Sequence, residues 1–197
     1  MPEKTAAQLV AEFTAVVPDF PKPGITFRDL TPVFADGAAL RVITDALAEP
    51  FAGRIDAVAG VEARGFVLAA AAAYALGTGV LIIRKPGKLP QAVLSESYDL
   101  EYGSATLQVQ PNTLPVGSRV LVLDDVLATG GTLAASTKLI ERAGWVVAGV
   151  SVVLELTDLL GRDALPGREI RSILPVLRQM SREFETFPPR SSNRLQC

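Results

Sequence analysis

The chain has 197 residues, 49% of them hydrophobic and 20% charged, with a formal net charge of −2. That balance is globular, long enough for one well-buried core, and it argues against a disordered chain or a general binder of nucleic acid or anionic membranes. Histidine is absent and the one cysteine is Cys197, which excludes His-based triads, most zinc sites and an internal disulfide, and points to a reducing cytoplasm.

The first ten residues lack the basic-then-apolar layout of a secretory signal. Thr5 and Gln8 have capping-box spacing, and Leu9, Phe13 and Val17 recur every four residues behind them. An amphipathic helix ending at Pro18 is predicted. Residues 18–34, PDFPKPGITFRDLTPVF, carry Pro18, Pro21, Pro23 and Pro32 and predict an irregular but fixed loop. Asp36 is placed to cap a helix that uses Leu40, Ile43 and Leu47.

From there the pattern alternates: a strand over 55–61, a helix over 64–76 closed by Gly77, a strand over 79–85, and a strand over 119–125. A helix over 131–144 closed by Gly144, a long strand over 145–156 and a final strand over 170–177 follow. Residues 66–83 carry no charge, but Gly77-Thr78-Gly79 interrupts them and most of the part before Gly77 is alanine. They read as a buried helix and a buried strand, not a membrane span. Strands apolar on both faces, alternating with helices, predict an α/β fold: a central parallel sheet with helices on both faces. Residues 86–110 break the alternation and end in the period-2 run Leu107, Val109. They predict a projecting antiparallel flap of two strands, a long excursion of the functional kind. No repeat or linker divides the chain, so a single domain over 1–197 is expected, with a loose polar tail from about 180 to 197.

The stretch VLVLDDVLATGGT, 120–132, carries the strongest chemistry. A strand, a turn and a helix N-terminus bring unpaired N–H groups and the helix dipole to one point, which makes an anion site. Gly130 and Gly131 allow close backbone approach, and Thr129 and Thr132 add hydroxyls. Asp124 and Asp125 stand at the carboxyl end of the strand, where open α/β sheets bind ligands. Carboxylates beside a phosphate cradle suit a sugar phosphate. The plainer alternative is an ordinary helix cap with two exposed acids. Competing phosphate motifs fail: there is no G-x-x-x-x-G-K-[ST], Gly77-Thr78-Gly79 is followed by Ile82 where a dinucleotide fingerprint needs glycine, and no G-x-S-x-G elbow exists.

The strand-DD-x-x-A-T-G-G-T arrangement resembles the phosphoribosyl-diphosphate motif of type I phosphoribosyltransferases. PDFPKPGITFRDLTPVF, GVEARGF (60–66), RKPGKLP (84–90) and ESYDLEYG (96–103) sharpen the resemblance to the adenine phosphoribosyltransferase family, from about Val17 to about Leu156. It implies the type I phosphoribosyltransferase fold, with residues 1–35 as a base-binding hood and 86–110 as a catalytic flap. It implies purine salvage: ribose 5-phosphate passes from phosphoribosyl diphosphate to N9 of adenine, giving AMP and diphosphate through an oxocarbenium-like transition state. It further implies Mg²⁺ held mainly through the phosphoribosyl diphosphate, a homodimer, and no nucleic-acid or membrane partner.

The resemblance also implies roles for single residues. Asp124 and Asp125 stand beside the ribose, and Val126, Leu127, Ala128, Thr129, Gly130, Gly131 and Thr132 bind the phosphoribosyl group. Glu62, Ala63 and Arg64 form the diphosphate loop, with a cis Glu62–Ala63 peptide, joined by Arg84, Lys85 and Lys88. Phe27 stacks on adenine, Val126 touches its other face, and backbone around Thr26 and Arg28 reads the purine edge. Glu101 is the proton carrier at the purine imidazole ring, with Tyr102 closing over the site. Plainer readings stand beside these: Phe27 as core, Arg64 as a surface arginine, Arg84 to Lys88 as solvated charges, Glu101 and Tyr102 as exposed hairpin residues. Two other functions stay open, a 6-oxopurine (xanthine) phosphoribosyltransferase and a non-catalytic phosphoribosyl-diphosphate-binding regulator. After Leu156 the chain departs from the family in a longer, Arg-rich ending.

Overall fold

The structure, a computed structural model, describes residues 4–99 and 103–177; Glu101, Tyr102 and the tail from 178 onward lie outside the described residues. Helix α1 (Ala6–Phe13) starts on the expected capping box, with Gln8 N donating to Thr5 Oγ1 at 3.3 Å and Thr5 N to Gln8 Oε1 at 2.9 Å. It stops at Phe13, short of Pro18. Thr14 turns extended and its hydroxyl donates to Val10 O at 2.6 Å. Ala15–Val17 then form strand β1, antiparallel to β2 (Phe27–Asp29). Pairing with a distant strand outweighs the four-residue recurrence of Val17. The expected irregular loop is therefore partly regular, holding β2 and the short helix α2 (Thr31–Ala35). Helix α3 (Gly37–Ala48) is capped as expected by Asp36, whose carboxylate accepts from Ala38 N at 3.1 Å and Ala39 N at 2.8 Å.

The parallel sheet is built from β3 (Ala57–Val61) and, after helix α4 (Arg64–Leu76), β4 (Gly79–Ile83). The flap strands β5 (Leu94–Asp99) and β6 (Ser104–Val109) follow, then β7 (Arg119–Leu127), helix α5 (Gly131–Arg142), β8 (Val146–Leu156) and β9 (Ile170–Val176). Strand order is β4-β3-β7-β8-β9, every neighbouring pair parallel. Alternate residues of β7 feed two cores. Leu121 and Leu123 pack with residues of α1, α3 and α4, while Val120 and Val122 pack with residues of α5. Helices cover both faces, as the doubly apolar strands require.

Among the boundaries that differ from the sequence reading, three bear on the site. Strand β4 stops at Ile83, before Arg84 and Lys85, because Arg84 turns away to pair with Gln108; the two backbone bonds are 2.9 and 2.7 Å and hook the flap to the sheet edge. Strand β7 continues past Asp125 to Leu127, with Val126 opposite Leu154 and Leu127 opposite Glu155 of β8. The paired acids thus lie inside a strand. Helix α5 ends at Arg142, and Gly144 follows with φ +83°. The flap is the expected antiparallel hairpin, from Leu94 opposite Val109 to Asp99 opposite Ser104. Among the described residues no helix is long and apolar enough to cross a membrane.

Candidate active site

From β3 the chain crosses by α4 to β4 on one side, whereas β7 lies on the other side of β3. Such a reversal opens a crevice beyond the carboxyl ends of the two central strands. Glu62, Ala63 and Arg64 leave β3 there, and Asp124 to Thr132 end β7 and enter α5. Two glycines bring these segments together. A Cβ on Gly60 would lie 2.6 Å from Gly65 O, and one on Gly65 would lie 2.8 Å from Leu123 O and 3.2 Å from Asp124 Oδ1. The first turn of α4 therefore rests directly on β3 and β7. Helices α4 and α5 start at Ala63 and Gly130 with no side-chain cap, unlike α1 and α3. Two sets of first-turn N–H groups are left for an anion.

Asp124 and Asp125 are only 9% and 8% exposed, so the reading of an ordinary cap with exposed acids is overturned. Asp124 Oδ1 accepts from Asp125 N at 2.9 Å. Burial first, and the neighbouring Asp125 second, push the Asp124 carboxyl well above the usual carboxylate range. Raising Asp124 in this way spares the pair two full adjacent charges. The cation that answers the pair is Arg64, whose Nε lies 2.8 Å from Asp125 Oδ2. The contact is one of charge without a directed hydrogen bond, since Asp125 Oδ2 has no hydrogen-bond partner.

The Arg64 guanidinium also stands 5.4 Å from the centre of the Phe27 ring, and Phe27 meets Phe20 edge-on with centroids 5.1 Å apart. Phe27 is half-buried on the short strand β2 and belongs to neither core cluster, so the plain core reading fails. Arg28 donates through Nη2 to Leu177 O at 3.4 Å, and burial lowers its pKa from the ordinary arginine value. Thr26, half-buried, precedes it, and Val126 packs partly against the first core.

The Glu62–Ala63 peptide is cis, as the family resemblance implies. Glu62 Oε2 accepts from Lys85 N at 3.0 Å and from Arg84 Nε at 3.3 Å. The Lys85 N–H first, with Arg84 after it, holds Glu62 below the usual carboxylate range. Arg84 also donates to Lys88 O at 3.2 Å. Glu62 and Arg84 are thus engaged with each other and shape the loop. The exposed side chains of Lys85 and Lys88 form no ion pair among the described residues.

The turn before α5 has two supports that the sequence reading did not name. A Cβ on Gly130 would collide with Gly161 O, and one on Gly161 would collide with Ala128 O and stand 2.8 Å from Leu127 Cδ1. The 3₁₀ turn at Gly161–Ala164 is therefore packed backbone to backbone on the cradle. Tyr98 of β5 hydrogen-bonds Thr132 Oγ1 through its Oη at 3.1 Å. No sequence signal marks Gly161; Tyr98 has one, as one of two tyrosines in a largely polar flap.

The Phosphoribosyl transferase domain family matches residues 33–163. An adenine phosphoribosyltransferase of Renibacterium salmoninarum is 65% identical over 173 residues, covering 88% of this chain and 95% of that protein. One from Thermobifida fusca is 52% identical over 169 residues, covering 85% and 96%. Among solved structures, adenine phosphoribosyltransferase from Thermoanaerobacter pseudethanolicus superposes with a TM-score of 0.81 at 43% identity, covering 85% of this chain and 98% of that one. The Saccharomyces cerevisiae enzyme, complexed with D-2,5-dideoxy-2,5-imino-altritol 1,6-bisphosphate and adenine, gives 0.81 at 36% identity, covering 86% and 98%. The chain therefore belongs to the phosphoribosyltransferase family and, within it, to the adenine phosphoribosyltransferases.

Proposed function

We propose that the protein transfers ribose 5-phosphate from 5-phosphoribosyl 1-diphosphate to N9 of adenine, giving AMP and diphosphate in purine salvage. The observation that carries this is the buried Asp124–Asp125 pair answered by Arg64, set between the uncapped starts of α4 and α5. In the transfer the bond from C1 of the ribose to the diphosphate oxygen breaks, the bond from C1 to N9 forms, and the N9 proton leaves. The acids stabilise the ribose hydroxyls and the positive charge that develops on the sugar. The first turn of α5, with Val126 to Thr132, holds the 5-phosphate. The first turn of α4, with Arg64, Lys85 and Lys88, holds the departing diphosphate, on a loop that Glu62 and Arg84 keep in shape. Phe27 and Val126 enclose the base, and backbone around Thr26 and Arg28 reads its edge. Glu101, the proton carrier, and Tyr102 complete the site in this reading.

Mg²⁺ suits the donors present, which are hard oxygens, and Asp125 Oδ2 is a buried oxygen with no hydrogen-bond partner. Among the described residues no group of three or more Asp, Glu, His or Cys could cage a metal. The ion would be held mainly on diphosphate and ribose oxygens, with Asp124 and Asp125 nearby, and would neutralise the leaving diphosphate. The family resemblance also supports one domain, a cytoplasmic homodimer and small-molecule substrates. Exposed Val80 and Ile82 on β4, beside Val67 and Tyr74 on α4, are the kind of apolar face that a second subunit covers.

Incubation with Mg²⁺, phosphoribosyl diphosphate and each of adenine, hypoxanthine, guanine and xanthine tests the reading. AMP from adenine alone is the expected result. Product only from an oxopurine would overturn the base assignment, and binding without product would leave a regulator.

A further inference from the structure

We propose that Tyr98 is a positioning residue of the phosphate cradle: Thr132 Oγ1 donates to its phenol in this structure, and on binding of the 5-phosphate the bond reverses, so that the phenol donates to Thr132 Oγ1 and the Thr132 hydroxyl proton turns to the phosphate. This rests on the transferase function above, in which Thr132 meets phosphoribosyl diphosphate. Tyr98 touches two consecutive cradle residues. Its Oη accepts from Thr132 Oγ1 at 3.1 Å. Its ring lies against Gly131, where an added Cβ would stand 3.0 Å from Cδ2 and 3.4 Å from Asp99 O.

The strand that carries Tyr98 is pinned to α5 one side-chain alternation earlier. Glu96 pairs with Arg142 at 2.7 Å and with Lys138 at 3.5 Å, and Arg142 Nη1 donates to Ser95 O at 2.7 Å. Residues i and i+2 of a strand share a face, so Glu96 and Tyr98 both point at α5. Tyr98 is half-buried against the second core, which holds the ring in place.

With phosphate bound, the direction of this hydrogen bond is set by what phosphate accepts. A hydroxyl has one proton and two lone pairs, and a phosphate dianion offers no donor. Thr132 serves the phosphate only if its single proton is left for it. The phenol is the more acidic of the two O–H groups and takes the donor role toward Thr132 Oγ1. A chain from Tyr98 to Thr132 to phosphate polarises each link. The flap hairpin thereby sets the donor geometry of a loop that lies after the next strand in sequence.

Tyr98→Phe keeps the ring against Gly131 and removes the hydroxyl alone. Calorimetric titration with Mg²⁺ and phosphoribosyl diphosphate should show Kd raised roughly 2- to 10-fold, the effect of one neutral hydrogen bond. KM for phosphoribosyl diphosphate should rise with it, while kcat and KM for adenine stay within about two-fold. On a Thr132→Val background Tyr98→Phe should add nothing, and on Thr132→Ser it should act in full. Unchanged affinity, an equal loss on the Thr132→Val background, or a fall in kcat alone overturns the proposal. If the wild-type protein binds phosphoribosyl diphosphate but forms no nucleotide, the transferase reading fails and the Kd comparison still decides Tyr98. If it binds none, both fall.

Discussion

Arg64 Nε lies 2.8 Å from Asp125 Oδ2, joining the first residue of α4 to the end of β7. The arginine side chain is 38% exposed and the aspartate 11%, so the cation faces the crevice and the anion is sunk behind it. A ligand that draws Arg64 away must itself satisfy the carboxylate, directly or through its own hydroxyls and metal. In the proposed function, loading of the diphosphate and ribose subsites would be coupled through this one guanidinium.

Arg64→Ala leaves Asp125 buried without its cation. Loss of one partner of a buried pair costs several kcal/mol, and the partial exposure of Arg64 brings that down to about 1–2 kcal/mol. The variant should melt several degrees lower and show KM for phosphoribosyl diphosphate raised by at least roughly tenfold, as expected for a lost charged hydrogen-bond donor. Arg64→Lys should recover most of the melting temperature and only part of the affinity, because a point charge replaces a planar fork. Paired thermal melts and steady-state kinetics decide it.

Asp124 should make the unliganded protein less stable as pH rises. Its pKa is raised on folding, first by burial and then by Asp125. The folded state therefore binds the proton more tightly, and this contribution is present in full below the unfolded carboxylate value of about 3.9 and is lost as pH rises through the folded value. Asp124→Asn removes that slope. Calorimetric melts from pH 4 to pH 8 should show the variant losing less stability than the wild type over the interval, while turnover falls sharply. Parallel melting curves would contradict the upward shift of the buried Asp124 carboxyl.

Glu155 predicts the opposite slope. Arg162 binds it in a two-point fork, Nε to Oε1 at 2.6 Å and Nη2 to Oε2 at 2.8 Å, and Ser172 Oγ donates to Oε2 at 2.6 Å. Arg162 is the main cause of a lowered Glu155 pKa, with Ser172 assisting against burial. A depressed carboxylate stabilises above its unfolded pKa, and the contribution is lost as pH falls through the folded value. Glu155→Gln should cost about 1 kcal/mol at pH 7, modest because Arg162 is half exposed, and less at pH 3. Chemical denaturation at both pH values measures the difference.

Gly161→Ala should disable the cradle from a residue outside it. The added methyl meets Ala128 O and Leu127 Cδ1. Over-packing of this kind costs about 1–3 kcal/mol, and displacement of Ala128 should raise KM for phosphoribosyl diphosphate more than KM for adenine. Alanine at Gly53, where nothing lies within 4 Å, should leave both constants unchanged and cost only backbone strain at φ +71°. Equal effects of the two substitutions on KM would refute the packing account.

Local signals read well where the deciding interaction is local. The Thr5–Gln8 box, the Asp36 cap and the 64–76 helix closed by Gly77 depend on groups within a few residues of one another, and each appears at the expected place. The end of α1, the extent of β7 and the order within residues 18–34 read less well. Each is settled by a partner far along the chain: β2 for Ala15–Val17, β8 for Val126 and Leu127, β1 for Phe27–Asp29.

By itself the sequence determined the parallel α/β architecture, through doubly apolar strands alternating with helices, and the residue types and spacing of the phosphate turn. Only the tertiary structure decided that the two acids are buried and not exposed, because their environment comes from α4 and the neighbouring strands. It alone decided that Arg64 is their cation and stands beside Phe27, a meeting of three segments enforced by the close contacts of Gly60 and Gly65. The contacts of Gly161 and Tyr98 became visible only there as well, since each acts on a residue about thirty positions away in the chain.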